Sequence, residues 1–227
     1  YFEHKDWEIA CDNTGTCRAA GYQAGYEAQA ISLLLVRDAG ADAAVSGEIA
    51  VTDLNWDDKA PQPLKGSLYL NDKNLGEITL SGDDVAPKAR LSPAQAKAVS
   101  KAVVGSDKIT FRTDKTTWTL SNEGANAVLL KMDDYQGRVG TPTALIKRGK
   151  DQKTIPAPAA KPVIHAAVLP DTPPRVLKAG DGEYSALRRL LAEKAGDDCD
   201  RMSEGENEIT LYPLDSSHTL AETTCWL

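Results

Sequence analysis

Apolar and polar residues alternate over much of the first 150 positions of the chain. A period of two is typical of β-strands that bury one of their faces. Trp7 and Ile9 lie two residues apart within 6–11, and the runs 29–37 and 45–52 carry branched apolar residues at mostly even spacing. Asn, Asp and Gly residues near the ends of these runs favour tight turns. The pattern therefore predicts short strands that pair across turns.

Two more hairpins are predicted farther along the chain. The first joins 67–70 to 75–80 through a turn rich in Asn and Asp, and the second joins 107–112 to 116–120. Residues 143–147 are predicted to form an edge strand that closes the domain.

Three segments predict helices because their apolar residues recur at helical intervals or because they carry a helix start signal. Ser92 is placed as an N-cap and Pro93 as the first helical residue of a helix that runs over 94–104. A second short helix is predicted over 126–135, and a third over 183–194, where leucines form a stripe on one face.

The prolines indicate how the chain is divided, because six of the twelve lie in 149–175. Such a segment is typical of an extended, semi-rigid linker. We therefore predict an α+β fold that is mostly β. It has a β-sandwich-like domain with two short helices over 1–148, the Pro-rich linker over 149–175, and a smaller disulfide-bridged α+β domain over 176–227. Because the chain stops two residues after a cysteine, we expect the smaller domain to be truncated at its C-terminus.

Four cysteines form two pairs that are local in sequence: Cys11 with Cys17, and Cys199 with Cys225. Three connectivities are possible, and local pairing is the simplest. Loop entropy then assigns about 2.4 kcal/mol to the first bridge and about 3.6 kcal/mol to the second. The spacings do not match zinc knuckles, and the three histidines are scattered. Disulfides, and with them an oxidising compartment, are therefore expected.

Composition and charge exclude several classes of protein. The apolar fraction of 41% and the charged fraction of 26% are ordinary for a soluble globular chain. The longest apolar run, 31–36, is far too short to cross a bilayer. The net charge of −7, with no dense cluster of Lys and Arg, makes nucleic acid an unexpected partner. The chain begins at Tyr1 without Met, as it would after removal of a signal peptide or after trimming.

The opening D-W-x-x-x-C-D-N, which runs from Asp6 to Asn13, precedes Thr16 to Ala19 and the run from Ser32 to Arg37. With these segments the chain resembles an uncharacterised family of exported proteobacterial proteins known only as a domain of unknown function. Residues 1–150 are more distantly similar to the invasion-associated locus B family. The resemblance implies an exported, envelope-associated, β-rich protein, linked in some relatives to host-cell invasion. It implies no catalytic or ligand-binding residue.

Candidate catalytic chemistry is sparse. The only compact candidate for a serine hydrolase site is Asp215–Ser216–Ser217–His218, whose residues are adjacent and lack a G-x-S-x-G elbow, so we interpret it as a polar loop. Acidic doublets lack the alternating rhythm of a calcium loop, so we predict solvated turn caps there. The doublets are Asp57–Asp58, Asp83–Asp84, Asp133–Asp134 and Asp197–Asp198. We predict no catalytic residue, metal site or cofactor, and we do not expect an enzyme.

The tryptophans supply the remaining candidate. Trp7 and Trp118 lie in predicted strands and are expected in the core. Trp56 is followed by Asp57 and Asp58, so these three residues are the candidate binding surface, with a locally packed lid as the alternative. We expect a periplasmic or secreted, non-catalytic module that binds an unidentified protein or envelope component. The alternatives are a structural or stress-related homo-oligomeric envelope factor, and an inhibitor of an envelope hydrolase.

Overall fold

The computed structural model describes residues 1–26, 28–56, 59–82, 85–163, 168–195 and 207–224. The chain divides into two compact units, Tyr1–Pro162 and Val163–Leu227. The described residues form three antiparallel sheets and three helices, with strand the dominant element. This confirms the predicted mostly β, α+β fold class.

The described residues of the first unit form ten strands and two helices. They are β1 (Phe2–His4), β2 (Trp7–Cys11), β3 (Cys17–Tyr22), β4 (Gln29–Arg37), β5 (Ser46–Asp53), β6 (Leu64–Leu70), β7 (Lys73–Leu80), β8 (Lys88–Arg90), α1 (Pro93–Ala102), β9 (Ile109–Arg112), β10 (Thr117–Leu120) and α2 (Ala125–Tyr135).

Two sheets form the body of this unit. The six-stranded sheet has the order β1-β2-β3-β4-β5-β8, and the four-stranded sheet has the order β10-β9-β6-β7. Strand alternation sends one face of each sheet into a single hydrophobic core, because successive side chains point to opposite sides. That core includes Trp7 and Trp118, each about 1% exposed, which confirms their predicted burial. A backbone bridge between Ser81 and Lys88 joins the two sheets.

Local sequence signals explain where the helices begin. The Ser92 side chain accepts a hydrogen bond from the Gln95 amide, and the Gln95 side chain accepts one from the Ser92 amide, forming a capping box. The backbone carbonyl of His4 lies against Gly124, directly before α2, and leaves no room for a Cβ there. Both predicted helices of this unit are confirmed, each within two residues of its predicted end.

The predicted edge strand over 143–147 is wrong. Turns and bends occupy these residues. The amides of Leu145 and Ile146 donate to the Asp133 carboxylate at 2.7 and 2.9 Å, so they are not available for a strand ladder.

The second unit is a small two-layer arrangement. It contains β11 (Arg175–Leu177), α3 (Tyr184–Ala195), β12 (Ile209–Pro213) and β13 (Thr219–Thr223), with sheet order β11-β12-β13. Its core joins one face of the sheet to one face of α3 through Leu177, Tyr184, Ile209 and Leu211.

The boundary between the two units falls inside the predicted Pro-rich linker. The first part of that segment lies along the first unit, where the Ala159 amide donates to the Thr14 carbonyl at 3.2 Å. The Pro156 carbonyl accepts from the Gly40 amide at 3.0 Å.

A disulfide joins Cys11 to Cys17, which are direct cross-strand partners on β2 and β3. This confirms the first predicted bridge. Cys199 and Cys225 lie outside the described residues, so the second bridge stays a prediction. Within the described ranges, every helix is too short or too polar to cross a membrane.

Candidate functional site

A tight turn after β5 positions Trp56. The Trp56 amide donates to the Asp53 carbonyl at 3.0 Å. The Asp53 carboxylate accepts from the Asn55 amide at 2.9 Å and from its side chain at 2.7 Å, as Asp does in an Asx turn. These bonds fix the backbone directly before the indole.

An aromatic stack connects Trp56 to the core. Its ring centroid lies 6.0 Å from that of Trp118, which lies 5.7 Å from Phe111. Trp118 is itself fixed, because its indole N–H donates to the Thr52 carbonyl at 2.9 Å. Trp56 is therefore a half-buried ring with a rigid support.

The Trp56 ring also lines a surface depression of about 280 Å³. Leu54 and Val85 line it too, and they are 82% and 62% exposed. Trp56 thus packs on the core and contributes to the surface at once. Asp57 and Asp58, the other members of the predicted binding surface, lie outside the described residues.

Two more depressions continue from this one along the outer face of the six-stranded sheet. The next, of about 200 Å³, shares Thr52 with the first, and the last, of about 340 Å³, shares Ser32 and Ala50 with the second. We call the three together the outer trough. Most of its central residues are small or apolar: Ala20, Ala30, Ser32, Leu34, Ala50 and Ala86.

The strand register fixes the size of the outer trough. Tyr22, Ser32, Ala50 and Lys88 form one cross-strand row over four adjacent strands. Three strand spacings make the trough about 14 Å wide between the backbones of β3 and β8. Along β5 it extends from Glu48 to the end of the strand, a distance of about 17 Å.

Polar groups fix both rims of the outer trough. On one side the Tyr22 hydroxyl donates to the Glu8 carboxylate, which raises the pKa of Tyr22 to about 12. The hydrogen bonds from Tyr22 and Tyr1 lower the pKa of Glu8 because they favour its charged form. On the other side Lys88 lies 3.7 Å from Glu48.

A buried polar network lies elsewhere in the first unit and corrects one expectation. Asp133 was predicted to be a solvated turn cap, but it is fully buried in α2 and contacts Arg37 at 2.7 Å. Burial lowers the pKa of Arg37, and the hydrogen bond to Asp133 opposes that shift. Asp133 lies one turn after Leu129, on the apolar face of α2, and this helical phase was the signal available in the sequence.

The polar side chains of this network bond to protein groups. Gln136 accepts from Arg37 Nε at 2.6 Å and donates to the Gly15 carbonyl at 2.8 Å. Arg138 donates to the Gly40 carbonyl and to the Thr143 hydroxyl. The network therefore ties α2 to the loop after β4 and to the turn that the disulfide closes.

The hairpin between β12 and β13 brings together Asp215, Ser217 and His218 of the predicted polar loop. The Asp215 carboxylate lies 2.8 Å from His218 Nδ1, and Ser217 Oγ lies 3.1 Å from the same nitrogen. A nucleophile would have to contact the opposite ring nitrogen. Bonds from the Ser217 amide and hydroxyl and from His218 lower the pKa of Asp215, as in a capped turn.

Metal-ligating residues do not cluster in the part of the chain that the structure describes. No group of three or more His, Cys, Asp or Glu side chains there is arranged to hold a metal ion.

These observations define a mostly β protein whose first unit has two sheets around one core, a cross-strand disulfide and an apolar trough on its outer face. The chain belongs to the family described as "Protein of unknown function (DUF1176)", which matches residues 1–227. This confirms the resemblance to a proteobacterial family of unknown function at that level.

A curated relative supports the same assignment. The chain is 32% identical over 179 residues to "Uncharacterized protein YpfG" of Escherichia coli (strain K12), a match that covers 74% of this chain and 47% of the relative. The chain thus spans about half the length of the curated relative it matches. No solved structure matches it.

Proposed function

We propose that this chain is an exported, non-catalytic binding module, and that its outer trough receives an amphipathic helix of a partner protein. The observation that carries the proposal is the outer trough, a continuous apolar depression that ends at the rigidly supported ring of Trp56. A mostly apolar depression with polar groups at its edges is the kind of concave surface that binding sites use.

The size of the outer trough favours a helix as the occupant. A helix with its side chains is about 10–12 Å across and fits between rims about 14 Å apart. A length of about 17 Å matches roughly three helical turns. Peptides bind as helices in apolar grooves, whereas extended peptides usually add to a sheet edge. The trough lies on a sheet face, so the groove mode applies.

Export is supported by the Cys11–Cys17 bridge, because disulfides persist mainly in oxidising compartments. The envelope setting and the more distant relation to the invasion-associated locus B family rest on the sequence resemblance. The proposal that the module is non-catalytic is supported by the Asp215–His218 hairpin, where the serine and the carboxylate contact the same ring nitrogen.

A displayed library of amphipathic 18-residue helices tests the proposal. Its apolar positions are held as Leu and Ala, its polar positions are randomised, and binders are selected on the full chain. We expect binders that gain helical circular dichroism on binding and weaken at least about tenfold on the variant Ala50→Arg. Ala50 faces the trough, so the new side chain would occupy it.

The matched control is Ala10→Arg. Ala10 is exposed on the same face of the same sheet but lines none of the three depressions, so binding should be unchanged. Ser32→Arg, one strand away from Ala50, replaces the first variant if that variant does not fold. Binders that tolerate both substitutions in the trough would exclude this site. Self-association that competes with every binder would favour the homo-oligomeric alternative.

A further inference from the structure

We propose that the second unit pairs with a second copy of this chain through β13, so that the three-stranded sheets of two copies join edge to edge in antiparallel orientation. This goes beyond the proposed function, because it concerns the other unit and uses none of the residues that line the outer trough. It follows from the edge that β13 exposes and from the residues that such pairing would bring together.

β13 is an edge strand without the usual protection against pairing. In the described part of the chain its only strand partner is β12, and the register between the two has no bulge. The strand contains no Lys or Pro, the residues that commonly block an exposed edge. An open depression of about 570 Å³ is lined by Leu220 and Glu222 from one face of β13 and by Ala221 and Thr223 from the other, so it lies along this edge.

The other edge strands of the described sheets are shorter or protected. β1, β8 and β11 have three residues each, and β10 has four. β7 has eight, but it begins with Lys73, and the Gln95 side chain of α1 donates to its Leu75 carbonyl at 3.2 Å. β13 is therefore the edge that is best suited to extension by a further strand.

The hairpin fixes which backbone groups of β13 point outward. The Leu214 amide donates to the His218 carbonyl at 2.9 Å, so these residues form a hydrogen-bonded pair. Bonded and unbonded pairs alternate along an antiparallel ladder. Thr219 therefore lies in an unbonded pair opposite Pro213, which has no amide hydrogen, and the amides and carbonyls of Thr219 and Ala221 point away from β12.

A second copy satisfies these outward groups when Leu220 lies opposite Leu220 of that copy. Thr219 and Ala221 then exchange backbone hydrogen bonds with Ala221 and Thr219 of the second copy. Leu220 is 54% exposed on the sheet face opposite the core of the unit, and Glu222 shares that face, because strand residues two apart point the same way.

The side chains also match in this register. The two Leu220 side chains would pack on each other across the two-fold axis, and Glu222 would face His218 of the second copy. The His218 side chain is 72% exposed, and a second carboxylate beside Asp215 would favour its charged form. Apolar pairs and pairs of opposite charge directly across two strands stabilise a sheet. The two neighbouring symmetric registers set Leu220 against Glu222 or against His218, and both lose the apolar pair.

Sedimentation velocity of the full chain tests the dimer at concentrations from about 1 to about 200 μM, the range expected for a small interface. Thr219→Pro removes an outward amide that β12 does not use, so it should weaken the dimer at least about tenfold and leave the hairpin intact. If that variant does not fold, Leu220→Glu replaces it, because it sets two carboxylates against each other across the axis.

The matched control is Val176→Pro on β11, at the other edge of the same sheet. Thr210 bonds to β13, so its partner Val176 lies in an unbonded pair and also points its amide outward. The dimer should therefore persist in this variant.

Leu220→Cys reports the register. Unbonded partners lie about 4.5 Å apart between Cα atoms, which is within disulfide range. Air oxidation should therefore give a covalent dimer on a non-reducing gel, whereas Glu222→Cys and the parent chain should give none.

Three outcomes would overturn the proposal. They are a chain that stays monomeric over the whole concentration range, a dimer that survives both Thr219→Pro and Leu220→Glu, and equal cross-linking of the two cysteine variants. A dimer abolished by Ala50→Arg would also overturn it, because self-association would then use the outer trough.

Discussion

The indole ring of Trp7 occupies the space above Gly21, its direct cross-strand partner on β3. A Cβ atom at position 21 would lie 2.2 Å from a ring carbon, which no real contact allows. The ring cannot move aside easily, because its N–H donates to the Ser121 carbonyl at 2.8 Å. The absence of a side chain at Gly21 therefore determines how the first sheet closes over its core.

Gly21→Ala should lower the free energy of unfolding by about 1–3 kcal/mol, the range typical of overpacking. Urea denaturation measures the change. Gly105→Ala is the control, because a Cβ there would meet nothing closer than 3.5 Å. Equal stability of the two variants would show that the ring yields to a methyl group.

The ion pair between Arg37 and Asp133 gives a second prediction. Arg37→Met should cost about 3–5 kcal/mol, because it leaves Asp133 charged and buried without its partner. The double variant Arg37→Met with Asp133→Leu should be less destabilised than the sum of its two single variants, and urea denaturation of all three tests this.

An exposed ion pair on α2, the helix that carries Asp133, is the control for this comparison of single and double variants. Lys131 lies 3.4 Å from Asp134 with both side chains more than half exposed. Asp134→Asn should therefore change stability by about 0.5 kcal/mol or less. A loss of several kcal/mol there would point to general damage to α2.

Asp12 makes the stability of the fold depend on pH. Its carboxylate accepts from the Thr14 hydroxyl and from Arg18, and these bonds lower the pKa of Asp12 well below its ordinary value of 3.8. A lowered folded-state pKa stabilises the fold above pH 3.8, and this contribution is lost as the pH falls through the folded-state value.

The variant Asp12→Asn should therefore be less stable than the parent chain at pH 7, and the difference should shrink steadily below pH 4. Thermal melts over pH 2–7 measure it. Thr14→Val removes the hydroxyl that contributes most to the lowered pKa of Asp12. In the Thr14→Val background, the loss of stability caused by Asp12→Asn at pH 7 should therefore be smaller. A difference that stays constant with pH would contradict this role of the carboxylate.

Trp56 and Trp118 should respond differently to truncation. Trp118→Ala empties a fully buried site and should cost about 3–5 kcal/mol. Trp56→Ala removes the half-buried outer ring of the stack and should cost about 1–3 kcal/mol while weakening helix binding. Comparable losses of stability would favour the packed lid over the binding surface.

Thiol titration tests the second bridge. Unfolded, unreduced protein should contain no free thiol. Two equivalents would mean that Cys199 and Cys225 are not joined, and four would contradict the Cys11–Cys17 bridge of the structure as well.

Local chemistry made much of this fold predictable from the sequence. The alternation around Trp7 and Ile9, the turn between Cys11 and Cys17 and the Ser92–Pro93 helix start each depend on residues only a few positions apart. Such signals act through backbone geometry and nearby hydrogen bonds, so they do not depend on residues that are distant in the sequence.

Only the tertiary structure decided the partners that lie far apart in the chain. Arg37 meets Asp133 across 96 positions, and that carboxylate also takes the amides that the predicted strand over 143–147 needed. The outer trough likewise exists because the strand register aligns small residues from β3, β4 and β5 on one face. Register and long-range burial are set by the whole core, and no short stretch of sequence contains them.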